Sequence, residues 1–361
     1  MLGLLARLVA MVAAALTLIA GSLAAGPLAA PAGAAPERET VWPLVWTRDV
    51  ADPSVVEYYG GYLVTGTGPL MPRLTARGAR GPWRELPPTM TTFPSWVLPG
   101  DQWAPALHQV ADGSWVVYYS ALVGGLNPGA RCLGVATAAT ATGPFTPSGD
   151  VPLVCPPRPG ALPAEDQLLN RASDLPFAGA IDGSVFEERD GRLYLLYKTQ
   201  GTPSSIRMVP LTPDGLHVVP GKQSRMLLRS NGIVENPTLV HHGSHYVLFT
   251  SEGWYGDCDY RTTWRKTRQK FRWPTRSTNL LGPVITGLCG PGGADVVVPR
   301  QGGRERIFFH AWVCHQSRTA CPRGFRRDTD RARLPVRGLY AGTLDWGPSE
   351  APQVAAYLTP R

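Results

Sequence analysis

Three carboxylates, Asp52, Asp182 and Glu235, occur in similar short contexts and could act together in acid–base chemistry. Each precedes a Pro or Gly by one or two residues, and an apolar strand-like segment starts within three residues of it. A single acid in front of Pro often only opens a turn. Three acids in matching positions predict a functional cluster. Crowded carboxylates repel one another and destabilise the fold, and proteins usually tolerate this loss of stability only where chemistry needs the acids.

The chemistry that suits three neighbouring carboxylates is hydrolysis of a glycosidic bond. One carboxylate acts as the base on water, and one carboxylic acid protonates the leaving oxygen. A third carboxylate raises the pKa of the acid by like-charge repulsion. In the inverting geometry the acid and the base are about 6.5–9.5 Å apart, a spacing that opposite walls of a narrow channel can provide.

A turn-and-strand pattern that repeats five times predicts the scaffold that must position these acids. Each copy is a Gly-containing turn followed by a strand rich in aromatic and branched residues, and an apolar run before the turn supplies the first strand of a hairpin. The second strands contain Tyr62, Trp115, Tyr194, Tyr246 and Ile307, so the steps are 53, 79, 52 and 61 residues. Periods of about 40–60 residues with repeated hairpins are typical of β-propellers.

We therefore predict an all-β fold, a five-bladed β-propeller formed by residues 36–361 as one domain, with the catalytic site at the mouth of the central channel. The longest step contains a Pro-rich stretch, residues 155–177, which is expected to be a loop at the rim. A strand at residues 339–346 is expected to close the ring with residues 41–47. A β-sandwich built from regular hairpins is the alternative, because its alternation would look similar.

The first 35 residues are typical of a secretory signal peptide. Arg7 is followed by an apolar stretch, residues 8–25, and the segment 32–34 offers the small residues of a cleavage site. We expect cleavage, a secreted protein and no membrane-spanning segment in the mature chain. An uncleaved anchor helix is the alternative, since a stretch of this length can nearly span a bilayer.

Export makes disulfides the expected state of the six cysteines. The simplest pairing is local, although six cysteines allow 15 connectivities. The local pairs are Cys132–Cys155, Cys258–Cys289 and Cys314–Cys321. A zinc site is the alternative, and the sequence has no CxxC pair to support it.

The formal net charge of +8 comes largely from two basic runs, residues 261–276 and 323–337. A basic surface can attract an acidic polymer or an anionic cell envelope, whereas solvated loops on a basic secreted protein are the plainer interpretation. Nothing that resembles a nucleic-acid-binding module accompanies these runs, so we expect no nucleic-acid partner.

The segments around the three acids resemble the motifs of glycoside hydrolase family 43 and its close relatives. The resemblance covers nearly all of the chain after residue 35 and implies a five-bladed hydrolase of arabinofuranosides, xylosides or, in some members, galactosides. It implies Asp52 as the general base, Asp182 as the pKa-modulating and orienting acid, and Glu235 as the general acid. The segments that carry it are residues 51–55, 103–105, 181–186, 190–195, 234–237, 246–251 and 309–312.

Several positions depart from the family's usual residues. Ala106 stands where the family often has Asp, Gly183 where Pro is common, and Asn236 where Gly or Ala is common. The segment 290–293, Gly-Pro-Gly-Gly, stands where relatives often show Gly-His-Gly. These positions affect substrate contacts more than the three acids, so they indicate a divergent subgroup whose sugar the sequence does not name.

Trp103, Trp254 and His310 are the predicted substrate-binding residues. The two tryptophans could stack on the apolar faces of sugar rings, with ordinary blade packing as the alternative. In relatives, the His of the blade-five aromatic-His motif lies near the channel axis and holds water or a calcium ion. The resemblance therefore implies His310 as a metal ligand, with calcium in a structural role, because the chemistry itself requires no cofactor.

The leading hypothesis is a secreted inverting glycoside hydrolase that acts on a pentose-containing polysaccharide or oligosaccharide by single displacement. One alternative is a retaining furanosidase of a related five-bladed clan, which needs its two carboxyl groups about 5–5.5 Å apart. The other is a non-catalytic carbohydrate-binding propeller of the cell envelope. The anomeric configuration of the first product separates the two enzymes, and sugar binding without bond cleavage identifies the third candidate.

Overall fold

All five expected hairpins are present in the computed structural model, which describes residues 40–168, 178–299 and 302–361. Each hairpin is followed by two further strands. The first ten strands are β1 (Ala51–Tyr58), β2 (Gly61–Thr67), β3 (Arg73–Ala76), β4 (Arg84–Leu86), β5 (Trp103–Gln109), β6 (Trp115–Leu122), β7 (Arg131–Ala138), β8 (Thr146–Ser148), β9 (Ala180–Glu187) and β10 (Leu193–Thr199). The next are β11 (Ser204–Pro210), β12 (Arg225–Ser230), β13 (Val234–His242), β14 (His245–Glu252), β15 (Arg261–Thr267), β16 (Thr278–Leu281), β17 (Cys289–Val297), β18 (Arg306–Val313), β19 (Val336–Trp346) and β20 (Pro352–Tyr357), with helix α1 (Pro283–Thr286) before β17.

The strands form five four-stranded antiparallel sheets, and each sheet is one blade of a propeller. Within a sheet the strands follow chain order, from β1–β4 in blade one to β17–β20 in blade five. The first strand of each blade contacts the first strand of the next, and β17 contacts β1, so the ring is closed. The prediction of an all-β, five-bladed propeller is confirmed, and the β-sandwich alternative is excluded.

The second strand of each blade is buried because neighbouring blades cover both of its faces. All 7 residues of β10 are buried, for example. Between blades two and three, Val116 and Tyr118 of β6 belong to the same apolar cluster as Leu195 and Tyr197 of β10. This packing explains the continuous apolar runs after each turn, since a strand covered on both sides does not alternate apolar and polar residues.

The segment before β1 closes the ring by pairing with the last blade. The backbone N–H of Leu44 donates to the carbonyl oxygen of Leu339 in β19 at 2.6 Å, and Val45 forms an antiparallel bridge with Leu339. The expected closing contact is therefore present, although it consists of this bridge rather than a complete extra strand.

Three disulfides join the cysteines in the local pairs expected from the sequence. Cys132–Cys155 ties β7 to the Pro-rich insertion, of which residues 169–177 lie outside the described residues. The other two, Cys258–Cys289 and Cys314–Cys321, pack in one apolar cluster with Trp312 and Phe325. Cys258–Cys289 ties the β14–β15 loop of blade four to β17 of blade five, and Cys314–Cys321 closes a loop within blade five.

The first strand of every blade is interrupted by a bulge at the same place. At each bulge the register slips against the second strand. One residue there adopts a left-handed backbone: Asp52 (φ 47°), Ala104 (φ 42°), Asp182 (φ 59°), Asn236 (φ 45°) or Gly293 (φ 58°). Glycine adopts this conformation freely, and Asn and Asp tolerate it better than other residues. A bulge re-aims the neighbouring side chains, and these five bulges line the centre of the channel.

The predicted signal peptide, residues 1–35, lies outside the described residues, which from Thr40 to Arg361 cluster as one compact unit. Helix α1 has only 4 residues. Across the part of the chain that the structure describes, no helix has the length and apolar character needed to cross a membrane.

Gly66 lies opposite the bulge of blade one and has no room for a side chain. A Cβ there would lie 2.8 Å from the carbonyl oxygen of Ala51, a backbone atom that cannot move without disturbing the bulge. We predict that Gly66→Ala lowers the free energy of unfolding by about 1–3 kcal/mol, the usual cost of overpacking, as measured by urea denaturation. The control is Gly78→Ala, where nothing lies within 4 Å of the added atom. Equal stability of the two variants would contradict this account of the bulge.

Candidate active site

A cavity of about 650 Å³ opens at the end of the channel where the first strands begin. Its size is within the range of small-ligand sites. Asp52, Asp182 and Glu235 all line it, together with Trp103 and Trp254. Below the cavity the channel narrows to a waist of about 40 Å³ between the five bulges. The waist has room for water but not for a sugar ring, so the cavity is a pocket at the channel mouth.

Asp52 receives donors on both carboxylate oxygens. Thr67 Oγ1 donates to Oδ2 at 2.7 Å, and Asn236 Nδ2 donates to Oδ1 at 3.2 Å. Arg337 Nη1 lies 3.5 Å from Oδ2, and its guanidinium also pairs with Asp49 at 3.1 Å. Burial raises the pKa of Asp52, but the Arg337 charge and the hydrogen bonds outweigh it, so the pKa lies below that of an ordinary Asp. Asp52 is therefore ionised at neutral pH, as a general base must be.

His310 is fully buried beneath Asp52 and is neutral. The backbone N–H of Asp52 donates to His310 Nδ1 at 3.0 Å, so Nδ1 carries no proton. Burial lowers the pKa of His310 to about 4. The imidazole stacks on Tyr260 with ring centres 5.9 Å apart, and a Cβ on Gly293 would lie only 2.6 Å from Nδ1. His310 thus supports the bulge that carries Asp52, and the described residues that line the cavity do not include it.

His310 Nε2 has no hydrogen-bond partner within the described part of the chain. Because Nδ1 is the acceptor, Nε2 carries the proton of the neutral ring and can donate to a water molecule. Calcium prefers six to eight oxygen ligands. Among the described residues, no three side chains of His, Cys, Asp or Glu converge where they could hold a metal ion. A lone imidazole nitrogen fits a water molecule better than direct calcium contact, and calcium binding through His310 stays a prediction.

Asp182 is the carboxyl that tends to keep its proton. Its Oδ2 accepts a hydrogen bond from the backbone N–H of Asn236 at 3.1 Å, and its own N–H donates to Ser120 Oγ at 3.2 Å. Burial raises the pKa of Asp182, and repulsion from Glu235 adds more than the Lys198 charge offsets, so the pKa reaches about 7. The pKa of Asp182 is therefore raised, whereas that of Asp52, the predicted base, is lowered.

Glu235 has partners on both carboxyl oxygens. Lys198 Nζ lies 2.6 Å from Oε2, and Tyr260 Oη lies 2.8 Å from Oε1. The side chains of Lys198 and Glu235 are 6% and 12% exposed, so the ion pair is sheltered at the wall of the cavity. Burial lowers the pKa of Lys198, but the charges of Glu235 and Asp182 outweigh it and raise the pKa above its ordinary value. Lys198 is therefore a permanent cation beside the two acids.

Asn236 connects the parts of this cluster. Its side-chain amide donates to Asp52 and accepts from Tyr260 Oη at 2.7 Å. Its backbone N–H donates to Asp182. One residue therefore holds the predicted base and the predicted modulating acid in fixed relation, and reaches Glu235 through Tyr260.

The three acids do not occupy fully matching positions. Asp52 and Asp182 each hold the left-handed position of their bulge, but in blade four that position belongs to Asn236, and Glu235 precedes it. The expectation of equivalent positions is therefore wrong by one residue. Neighbouring side chains of a strand point in different directions, so this offset lets an amide contact Asp52 while the Glu235 carboxyl turns to other partners.

Aromatic side chains form two walls of the cavity. On blade two, the Arg131 guanidinium covers Trp103 at 3.2 Å from the ring centre. On the side of blades four and five, Trp254 and Tyr255 lie with ring centres 5.9 Å apart. The Trp312 indole N–H donates to the carbonyl oxygen of Tyr255 at 2.7 Å, and the two disulfides pack behind Trp312. Trp103 and Trp254 thus face the cavity from different blades.

The sequence did not identify four polar residues of the site: Lys198, Tyr260, Arg337 and Thr67. Lys198 carried a usable signal, because a charged side chain inside an apolar strand such as β10 must find a partner. Tyr260 and Arg337 lie in stretches without a motif. Tyr260 contacts Glu235 and Asn236 on another strand of its own blade, and Arg337 contacts Asp52 on a different blade. Sequence spacing shows neither contact.

Three carboxyl groups in different environments share one cavity at the mouth of a five-bladed propeller, an arrangement that suits hydrolysis of a glycosidic bond. The sequence matches the family model "Glycosyl hydrolases family 43" over residues 44–323. The chain belongs to this family. No curated protein matches the sequence.

Solved structures of this fold cover nearly the whole chain. A thermostable family-43 glycoside hydrolase aligns with a TM-score of 0.66 at 17% identity, over 90% of this chain and 98% of the other. An endo-1,4-beta-xylanase from Bacteroides thetaiotaomicron aligns with a TM-score of 0.64 at 20% identity, over 89% and 99%. The Cellvibrio cellulosa alpha-L-arabinanase aligns with a TM-score of 0.64 at 19% identity, over 87% and 99%. At these low sequence identities, the similarity shows that the fold is shared and does not by itself establish the substrate.

Arg337 is the cation that holds Asp52 ionised, so its removal should raise the pKa of Asp52. The predicted base must be ionised to act, so activity is expected to fall as pH falls through this pKa. We predict that Arg337→Gln moves the acid limb of the kcat/KM profile to higher pH by about one unit. Arg333→Gln, which removes an exposed charge nearby, is the control. An acid limb that stays in place in a folded Arg337→Gln variant would show that Arg337 does not set this ionisation.

Proposed function

We propose that the protein is an inverting glycoside hydrolase that uses Asp52, Glu235 and Asp182 in a single displacement. The observation that carries the proposal is the opposite electrostatic environment of two acids in one cavity. Arg337 lowers the pKa of Asp52, whereas burial and Glu235 raise the pKa of Asp182. The cluster therefore contains an ionised carboxylate for the role of base and keeps a proton on the neighbour of Glu235, the proposed acid.

In the proposed reaction, Asp52 accepts a proton from a water molecule as that water attacks the anomeric carbon. Glu235 gives a proton to the glycosidic oxygen as the carbon–oxygen bond breaks, and the bonding electrons leave with this oxygen. Asp182 is the proposed orienting and modulating neighbour of this acid. Asp52 ends protonated and Glu235 ionised, and solvent returns both to their starting states.

We infer that the substrate is a pentose-containing polysaccharide or oligosaccharide with arabinofuranosyl or xylosyl units. Membership of the family, and the structural similarity to an arabinanase and a xylanase, support this substrate class. The Cellvibrio cellulosa arabinanase has also been solved in complex with arabinohexaose. Trp103 and Trp254 line the cavity, where each could stack on a sugar ring. His310 would act one layer below the sugar, through a water molecule on Nε2.

The proposal includes export and contact with anionic material. Three disulfides favour an oxidising location, because such bonds are rare in the cytosol. The segment of residues 315–337, which follows β18 and includes the first two residues of β19, contains seven Arg and two Asp. Arg327 and Arg337 of this segment line the cavity. We propose that this segment, the basic excursion, holds an anionic glycan or envelope polymer close to the site.

A release assay tests the proposed activity. The mature protein is incubated with aryl arabinofuranosides, xylosides and galactosides, and with arabinan, arabinogalactan and xylan. We predict sugar release by the wild type and a fall of at least about 100-fold in Glu235→Gln, which keeps the shape of the side chain but has no proton to donate. Binding of the product sugar should persist in the variant, as measured by calorimetry.

The same assay separates the alternatives. NMR of the first product shows inverted configuration if Asp52 acts as a base, and retained configuration if a carboxylate acts as nucleophile. Sugar binding with no release from folded protein would favour a non-catalytic propeller. If the Glu235→Gln variant keeps more than a few per cent of wild-type activity, Glu235 is not the general acid.

Retention on immobilised polygalacturonate tests the basic excursion. We predict that the double variant Arg323→Gln/Arg331→Gln elutes at lower salt than the wild type, because each lost charge weakens contact with an anionic polymer. Hydrolysis of a small neutral aryl glycoside should stay unchanged. The matched control, Arg268→Gln/Arg272→Gln, removes two exposed charges from the other basic run. If the two double variants shift to the same elution salt, retention depends only on net charge, and the proposed contact between the polymer and the basic excursion is wrong.

A further inference from the structure

Lys198 is a buried cation that the proposed mechanism does not use. It lies in β10 of blade three, a strand whose 7 residues are all buried, and its side chain is 6% exposed. Burying an ammonium group costs several kcal/mol unless a partner compensates. A lysine at this position in an otherwise apolar strand therefore depends on the acids that surround it.

The Lys198 ammonium is placed to serve two acids. Its Nζ lies 2.6 Å from Glu235 Oε2. Its backbone pairs with Ile181, the residue directly before Asp182, and the charges of both acids act on it. Lys carries its charge on a flexible four-carbon stem, so the ammonium can shift between neighbouring oxygens while the strand stays in place.

The free site is not yet arranged for proton donation by Glu235. A carboxyl that donates a proton must first hold one, whereas an ammonium group at 2.6 Å is the partner of a carboxylate. In the same site Asp182 is the group that tends to keep a proton. A proton must therefore reach Glu235 before the bond breaks, and Lys198 must release Glu235 for this to happen.

We propose that Lys198 is a positioning residue that pairs with Glu235 while Asp182 holds the proton, and moves to Asp182 as that proton passes to Glu235. One O–H bond breaks at Asp182 and one forms at Glu235, so the charge of the cluster does not change. Tyr260 suits both states, because its hydroxyl lies 2.8 Å from Glu235 Oε1 and 2.7 Å from Asn236 Oδ1 and can donate to either. The inference rests on the proposed function and explains how its acid acquires a proton.

The charges around Lys198 predict the direction of its effect on pH dependence. The charged groups that act on Lys198 are Glu235 from β13 and Asp182 from β9. Tyr260, just before β15, contacts Glu235, and the charge of Asp52 from β1 acts on Asp182. Asp52 has its own cation in Arg337. Loss of the Lys198 charge should therefore make the Asp182–Glu235 pair keep its proton to higher pH, while the ionisation of the base stays the same.

Lys198→Met tests this role with two leaving groups. For an unactivated glycan, whose leaving oxygen needs a proton, we expect kcat to fall about 100-fold, because no ammonium group then stabilises the Asp182 carboxylate as its proton passes to Glu235. The basic limb of its pH profile should move up by about one unit, with the acid limb in place. For the 2,4-dinitrophenyl glycoside, whose leaving group departs without a proton, the loss should stay below about threefold. Lys222→Met, an exposed lysine in the same blade region, is the control and should match the wild type.

Equal losses with both leaving groups, or a basic limb at the wild-type pH, would overturn the proposal, because a structural lysine would affect all substrates alike. Lys198→Gln also removes the charge and carries the same expectations if the Met variant does not fold. Failure of the proposed function would look different. In that case the wild type releases no sugar or Glu235→Gln stays active, and the proposed role of Lys198 is then wrong as well.

Discussion

The left-handed bulge in the first strand of each blade is the constraint on which the site depends. A regular strand alternates its side chains strictly between two faces, so acids on separate blades could not all turn towards one cavity. The left-handed backbone costs about 1–2 kcal/mol for a residue other than glycine, and four of the five bulge residues, Asp52, Ala104, Asp182 and Asn236, are not glycine. The buried second strands supply the packing that holds this strained geometry in place.

The buried cluster tolerates three carboxylates because cations and donors are distributed among them. Arg337 and Thr67 stabilise the charge of Asp52, and Lys198 pairs with Glu235. Asp182 has no cation at ion-pair distance among the described residues and is the acid whose pKa is raised. Loss of one member would leave a buried charge without its partner, which is a large penalty in a protein interior. The same contacts therefore serve stability and the ionisation pattern that hydrolysis requires.

Blade five contributes support rather than an acid. His310 accepts a hydrogen bond from the backbone of Asp52, and Gly293 leaves the space for this close approach. Arg337 comes from β19 of the same blade, and the disulfide cluster holds Trp312 against the wall of the cavity. The departure from the family's usual residues at 290–293 falls in this blade. Of this segment, Gly293 lines the waist below the pocket, so a divergent segment here affects the floor while the acids on blades one, three and four stay in place.

The sequence by itself determined what local pattern controls: the five hairpins, the three disulfide pairs and the acids that line the cavity. Each of these depends on residues near one another in the chain, such as a turn and its strands or two cysteines 7 to 31 residues apart. Only the tertiary structure decided that Asn236 rather than Glu235 takes the bulge position, and that Lys198 and Arg337 neutralise the acids. Arg337 and Asp52 are 285 residues apart in the chain. They meet because the ring closes, and no local pattern records which side chains a closed ring brings together.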